Sequence, residues 1–244
     1  MIRSIVIVTL LSLPLSAFAA PKITEETITS VGKERTYYLF IPESAREGSP
    51  LIVLLHGSGR TGKILIDHWK SLAEKEGIVL AGPNASDAQQ WQMPEDGPVF
   101  LRDIVRDVQK RVAIDGRRVY LFGHSAGANF AVPMGLFQST YFAAVAAHAG
   151  ALPQGDDSIV TIATRKIPIY LVVGTRDASH GAARASHTLL TERGFPAELV
   201  EMPRHGHDYY GRSKEINAKT WAWLSAQKLE RDPVYIPYAN IPEK

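Results

Sequence analysis

Arg118-Val119-Tyr120-Leu121-Phe122-Gly123-His124-Ser125-Ala126-Gly127-Ala128-Asn129-Phe130 decides the fold of this 244-residue chain. It opens as a short apolar run rich in β-forming residues and closes in small, helix-compatible ones. Between the two stands Gly-x-Ser-x-Gly, at Gly123, Ser125 and Gly127. A strand that turns abruptly into a helix lifts Ser125 to the tip of the turn. The glycines are needed because a Cβ at either position would meet the neighbouring strand or helix. A serine so exposed is a candidate nucleophile. It then requires a base, an acid that orients the base, and N–H donors for an oxyanion.

The flanking sequence supplies a matching scaffold. Residues 50–55 are apolar throughout, as in a strand buried on both faces of a mostly parallel sheet, and residues 78–81, 142–147, 167–173 and 197–202 read as further strands. Residues 23–28 and 35–41 read as an antiparallel hairpin about the polar turn 30–34, at the edge of the sheet. Helical periodicity predicts helices over 62–76, 99–113, 126–137, 182–193 and 213–228. The first is expected to bury Ile64, Leu65, His68, Trp69 and Leu72 on one face, and Pro133 is expected to kink or end the third. Asp115-Gly116 reads as a turn, and residues 82–97 form a loop long enough to suggest function. Residues 155–165 carry no clear signal.

Strands alternating with helices after an opening hairpin define an α/β fold, with a mostly parallel central sheet and helices on both faces. The C-terminal ends of the parallel strands then share one edge, where sites form. Those ends carry His56-Gly57-Ser58-Gly59, Ser125, His148, Asp177 and His207. Ser125, Asp177 and His207 follow the order nucleophile, acid, base expected of a strand–elbow–helix serine enzyme. Asp177 could alternatively cap the helix that follows it. His205 is the second candidate base. Ala126, the residue after the nucleophile, offers one oxyanion N–H at a helix N-terminus; Ser58, or Gly57, offers the other. His124 is expected to pack beneath the elbow, and His148 either to line the pocket or only to end a strand. Trp91 and Gln90, with Gln89, are candidate substrate contacts, Trp91 alternatively anchoring its loop.

Composition narrows the function. At 45% hydrophobic and 21% charged the chain reads as one globular domain, over residues 21–232. A net charge of +2, with no basic block interleaved with aromatics, gives nucleic-acid binding no support. The absence of cysteine excludes disulfides, thiolate metal sites and a cysteine nucleophile. No cofactor or metal is expected, since no phosphate-binding glycine motif occurs and His205-Gly206-His207-Asp208 lacks the other half of a metal site. Residues 1–20 read as a secretory signal: Arg3, an apolar run over 5–15, then Ala17-Phe18-Ala19 before Pro21. The reading is of a secreted or periplasmic protein, free of the membrane after cleavage, acting as a monomer or dimer; the competing reading of that segment is a membrane anchor. Residues 233–244, with three prolines, are expected to form an extended tail.

On these residues the chain resembles the α/β-hydrolase superfamily. The resemblance rests on Leu54-Leu55-His56-Gly57, on Ile114-Asp115-Gly116-Arg117-Arg118-Val119-Tyr120 leading into Gly123-His124-Ser125-Ala126-Gly127, on Gly174-Thr175-Arg176-Asp177, and on His207 before the Trp-bearing final helix. More narrowly it is similar to secreted esterases grouped with polyhydroxybutyrate depolymerases and feruloyl esterases. The resemblance implies a serine esterase acting on a small-molecule or oligomeric ester. The chain departs from that group in having no cysteine, and in reading Arg204-His205-Gly206-His207-Asp208-Tyr209 where the group carries Gly-Gly-Gly-His-x-Trp. A serine peptidase on the same fold and a non-catalytic binding protein are the competing readings.

Overall fold

The hairpin that begins the sheet shows how closely local chemistry sets its register. Strands β1 (Thr24–Ser30) and β2 (Lys33–Phe40) pair with Ser30 opposite Lys33, leaving Val31-Gly32 as a two-residue loop. Both loop residues have positive φ, 51° and 69°, the geometry of a turn whose twist matches the strands. The computed structural model describes residues 22–153 and 158–237, so the signal reading of residues 1–20 lies outside the described residues.

Six more strands complete the sheet: β3 (Ser49–Leu55), β4 (Val79–Pro83), β5 (Ile114–His124), β6 (Ala144–His148), β7 (Ile169–Gly174) and β8 (Ala197–Met202). Their order is β1-β2-β4-β3-β5-β6-β7-β8. The first two pairings are antiparallel and all others are parallel, as expected from the hairpin followed by helical crossovers. Both faces are covered. Leu51, Val53 and Leu55 of β3 point into a core shared with α2 (Pro98–Arg111) and α3 (Ala126–Phe137). Ile52 and Leu54 point the other way, against α1 (Gly62–Glu76) and α6 (Ser213–Leu224). Helix α5 (His180–Glu192) adds Leu190 to the first core, and α4 (Ile159–Ile162) is one turn in the segment without a clear sequence signal. Among the described residues no helix is long and apolar enough to cross a membrane.

Several local expectations are corrected. Asp115-Gly116 is not a free turn but lies within β5, where pairing jumps from Ser49–Ile114 to Leu51–Val119; residues 115–118 bulge out, with the Asp115 carboxylate accepting the Arg117 N–H. Helix α3 runs through Pro133 to Phe137; the carbonyl that Pro133 leaves without an N–H belongs to Asn129, an exposed residue that water can serve. The buried face of α1 is Leu65, Ile66, Trp69 and Ala73, leaving Ile64, His68 and Leu72 half-buried. Helix α6 stops at Leu224 because the chain turns back to the sheet, where the Leu229 N–H donates to the Arg117 carbonyl. The described part of the tail is docked. Val234 and Thr140 exchange two hydrogen bonds, Gln138 brackets the backbone of Ile236 with two more, and Tyr235 meets Tyr141 edge-on.

Candidate active site

The site assembles on the strand ends from the elbow outward. Ser125 has φ 56° and ψ −119°, a conformation costly for a side chain with a Cβ and held by its surroundings. Its N–H donates to the His148 carbonyl at 2.9 Å, while its own carbonyl accepts from the Ala128 and Asn129 N–H groups and starts α3. The motif glycines are needed for approach. A Cβ on Gly123 would lie 2.2 Å from the Gly127 carbonyl oxygen, and one on Gly127 would lie 2.0 Å from that of Leu55.

Asp177 sits on the turn after β7, its N–H donating to the Gly174 carbonyl. It also leads into α5: the His180 N–H, the first of that helix, donates to the Asp177 carbonyl at 3.1 Å, while Ser179 occupies the N-cap position. Its Oδ1 accepts the N–H and the hydroxyl of Ser179, both at 2.8 Å. The loop after β8 lies directly on β7: the Arg176 N–H donates to the His205 carbonyl at 2.8 Å, and a Cβ on Gly174 would come within 2.2 Å of that carbonyl oxygen. This close approach brings His207 over Asp177. The Nδ1–H of His207 donates to the Asp177 carboxylate at 2.9 Å, and the Ser125 hydroxyl donates to His207 Nε2 at 2.8 Å. Burial pushes the Asp177 carboxyl up, but the hydrogen bonds from Ser179 and His207 outweigh it and hold the carboxyl below its ordinary range. His205, the other candidate base, is buried with its ring beside that of His148, and its Nε2 has no hydrogen-bond partner among the described residues.

The opposite wall is Gly57-Ser58. Neither the Ser58 nor the Ala126 N–H finds an acceptor among the described residues, and both residues stand beside Ser125. His56 fixes this wall. Its Nε2 accepts the Ala85 N–H at 3.1 Å, so its proton is on Nδ1, which donates to the Gly57 carbonyl at 2.9 Å. The Trp91 indole N–H donates to the His56 carbonyl at 2.9 Å, and the Gly59 N–H to that of Ala88 at 2.7 Å. Residues 84–97 therefore clasp the Gly57-Ser58 turn. That segment hangs in turn on Asp96, fully buried, whose carboxylate accepts from Arg35, from the Ser86 N–H and hydroxyl, and from the Gln92 N–H.

Two clefts meet at the elbow. One, of about 440 Å³, is lined by Ser125, His207, Ser58, Arg60, Asp208 and Tyr210. The other, of about 380 Å³, starts at Ala126 and runs over α3 between Trp91, Phe130, Pro133 and Met134. Trp91 both anchors its loop and stacks on Phe130, with centroids 5.6 Å apart, and Gln90 lies on the same groove. His148 is the correction among the candidate contacts: it is fully buried and lines neither cleft. Strand register puts it opposite His124, and the two rings share one hydrogen bond, Nδ1 to Nδ1, at 3.0 Å. One nitrogen must donate and the other accept, so the accepting ring is neutral, and burial, which disfavours the charged form, keeps the donating ring neutral as well. The assignment with His148 donating leaves its unpartnered, buried Nε2 as a bare lone pair, cheaper to bury than an N–H. Among the described residues no group of His, Asp or Glu has metal-binding geometry.

Burial, then the charge of His207, pushes His124 down to about 4; burial, then its neighbours His124 and His205, pushes His148 down to about 3. Both values lie below that of an unfolded histidine, so the unfolded chain takes up protons first. Stability is complete above about pH 6.5 and falls as pH drops toward 4 and 3. Between pH 7.5 and 4.5 the pair should cost at least about 3 kcal/mol, or roughly 6–12 °C in Tm for a domain of this size. Thermal unfolding across that range checks it; a Tm that stays flat would contradict the neutral buried pair.

No family model matches the chain. It is 29% identical over 150 residues to a bifunctional acetylxylan esterase/xylanase of Neocallimastix patriciarum, covering 60% of this chain and 22% of that protein. It is 29% identical over 168 residues to NocK of Nocardia uniformis subsp. tsuyamanensis, named as an esterase, covering 63% of this chain and 48% of that one. The chain thus spans about a fifth and about half the length of these two relatives. Among solved structures it resembles LpqC, a poly(3-hydroxybutyrate) depolymerase of Bordetella parapertussis, with a TM-score of 0.65 and 16% identity over 91% of this chain and 93% of that one. The fold is that of the α/β-hydrolases, the class that the elbow and the strand order define.

Proposed function

We propose that this chain is an exported serine hydrolase of carboxylic esters that works through an acyl-enzyme. One observation carries the reading: Ser125, His207 and Asp177 form a continuous hydrogen-bonded chain at the mouth of a cleft that also holds the Ser58 N–H. In this mechanism His207 Nε2 takes the Ser125 proton as Oγ attacks the ester carbonyl, and Asp177 steadies the imidazolium that forms. The N–H groups of Ser58 and Ala126, with Gly57 as neighbour, stabilise the oxyanion; Ala126 stands at the N-terminus of α3, where the helix dipole adds to the effect. His207 then gives its proton to the leaving alcohol and activates the water that frees the acid. The esterase names of the two sequence relatives support the ester as substrate. The secretory pattern of residues 1–20 supports export, and no cofactor enters any step.

Purified protein is expected to hydrolyse short-chain p-nitrophenyl esters, and to be at least about a thousand-fold slower on matched peptide anilides. The amide leaving group must be protonated before it departs, whereas a p-nitrophenolate leaves without that help. Faster anilide than ester turnover would replace this reading with a peptidase; inertness toward every ester would replace it with a binding protein.

A further inference from the structure

We propose that Arg60 makes the leaving-group side of the cleft an anion-binding subsite, so that the favoured esters carry a carboxylate on the alcohol half and an apolar group on the acid half. The inference rests on the esterase reading and adds to it which half of the ester goes where and what it carries.

Sidedness follows from proton transfer. The leaving oxygen has to come within hydrogen-bond reach of His207 Nε2, so the alcohol lies in the cleft that His207 lines. That cleft contains Arg60, Asp208 and Tyr210. The acyl group departs from the carbonyl in the remaining direction, over the N-terminus of α3, and there the second groove is walled by Trp91, Phe130, Pro133 and Met134. The two grooves differ in chemistry as the two halves of such an ester would.

Arg60 is exposed and makes no ion pair among the described residues, although other cations on this surface are paired, Arg212 with Glu215 and Lys63 with Asp67. Its guanidinium lies 5.2 Å from the centroid of the Tyr210 ring, which supports it without using its in-plane donors. The backbone beneath it is fixed: the Arg60 N–H donates to the Gly57 carbonyl at 3.2 Å, and the adjacent Gly59 is tied to Ala88. Asp208 is the acid lining this cleft; its Oδ1 is engaged by the Gly211 N–H at 3.1 Å, and it forms no ion pair with Arg60. A guanidinium resting on the Tyr210 ring in the cleft of Ser125 and His207, with no hydrogen bond to its side-chain donors among the described residues, can meet a carboxylate in bidentate geometry.

The test uses butyryl esters of 4-hydroxybenzoate and of 4-hydroxybenzamide, which share an acyl group and differ in charge on the leaving phenol. A third ester, phenyl hemisuccinate, moves the carboxylate to the acyl half. Wild-type protein at low ionic strength is expected to favour the hydroxybenzoate ester over the hydroxybenzamide ester by about 5- to 20-fold in kcat/KM, through KM. It should disfavour the hemisuccinate, and lose most of the preference at 0.5 M salt. Arg60→Met should bring the ratio near one, and Arg60→Lys should keep part of it. A wild-type ratio of one or less, a ratio unaltered in Arg60→Met, or a preference for the hemisuccinate would overturn the proposal. Hydrolysis of the neutral ester in the same assay keeps those outcomes apart from failure of the esterase reading, which would silence all three substrates.

Discussion

Ser125→Ala should lower kcat/KM for a p-nitrophenyl ester by about 10⁵- to 10⁶-fold and abolish labelling by a fluorophosphonate probe. The change removes the attacking oxygen and leaves the rest of the site intact. The proposed oxyanion donors, the N–H groups of Ser58 and Ala126, are untouched by the change, so on that proposal a small residual rate over the uncatalysed reaction should persist. The fold should survive, because alanine bears the same positive φ as serine at this position and only the bond to His207 Nε2 is lost. A Tm within a few degrees of wild type confirms that the loss is chemical. Labelling that persists in the variant would mean that another residue is the nucleophile.

Asp177→Asn is expected to cost about 10⁴-fold in kcat, the loss seen when a triad histidine is held in the wrong tautomer. The reason lies in Ser179. Its N–H and hydroxyl both donate to Asp177 Oδ1. An asparagine must turn its oxygen to Ser179, which directs its NH₂ at His207 Nδ1. That nitrogen then becomes an acceptor, and the ring proton moves to Nε2, facing the Ser125 hydroxyl it should deprotonate. Steady-state rates for the variant, with a fluorophosphonate labelling time course, measure the effect. A loss below ten-fold would remove Asp177 from the mechanism. A second substitution, Ser179→Pro, removes the N–H as well as the hydroxyl at a φ of −80° that proline accepts; it should free the amide to rotate and recover part of the rate, which a purely structural role would not predict.

The fold was legible because its signals are local. Apolar runs such as residues 50–55 and 167–173 each announce one strand, and Gly123, Ser125 and Gly127 announce the turn between a strand and a helix. The residues of the candidate triad were legible for the same reason, since each lies just past a strand and in chain order. What the sequence did not disclose depends on pairing between distant segments. His148 looks like a cleft residue at a strand end, but the register of β5 with β6 sets it against His124 and turns it inward. Asp96 sits in a run with no periodicity, and its role comes from Arg35, sixty-one residues away, and from backbone N–H groups of its own loop. His56 reads only as the end of a strand until Ala85 and Trp91 are seen to bond to it. Arg60 carries no pattern at all; its cleft position is visible only once the Tyr210 ring lies beneath it.

The clasp between residues 84–97 and His56-Gly57-Ser58 has a practical consequence for anyone reshaping this protein. Trp91 contributes the same side chain to a wall of the apolar groove and to the support of the turn that bears the Ser58 N–H. Exchanging residues 85–92 to alter that groove would therefore also shift the turn that carries the proposed oxyanion donor. On the proposed function the groove wall and the oxyanion turn are then one part, so variants selected for a new acyl group should show kcat and KM drifting together. The docked C-terminal segment lies at the far end of α3 from the elbow and offers an attachment point that leaves this part alone.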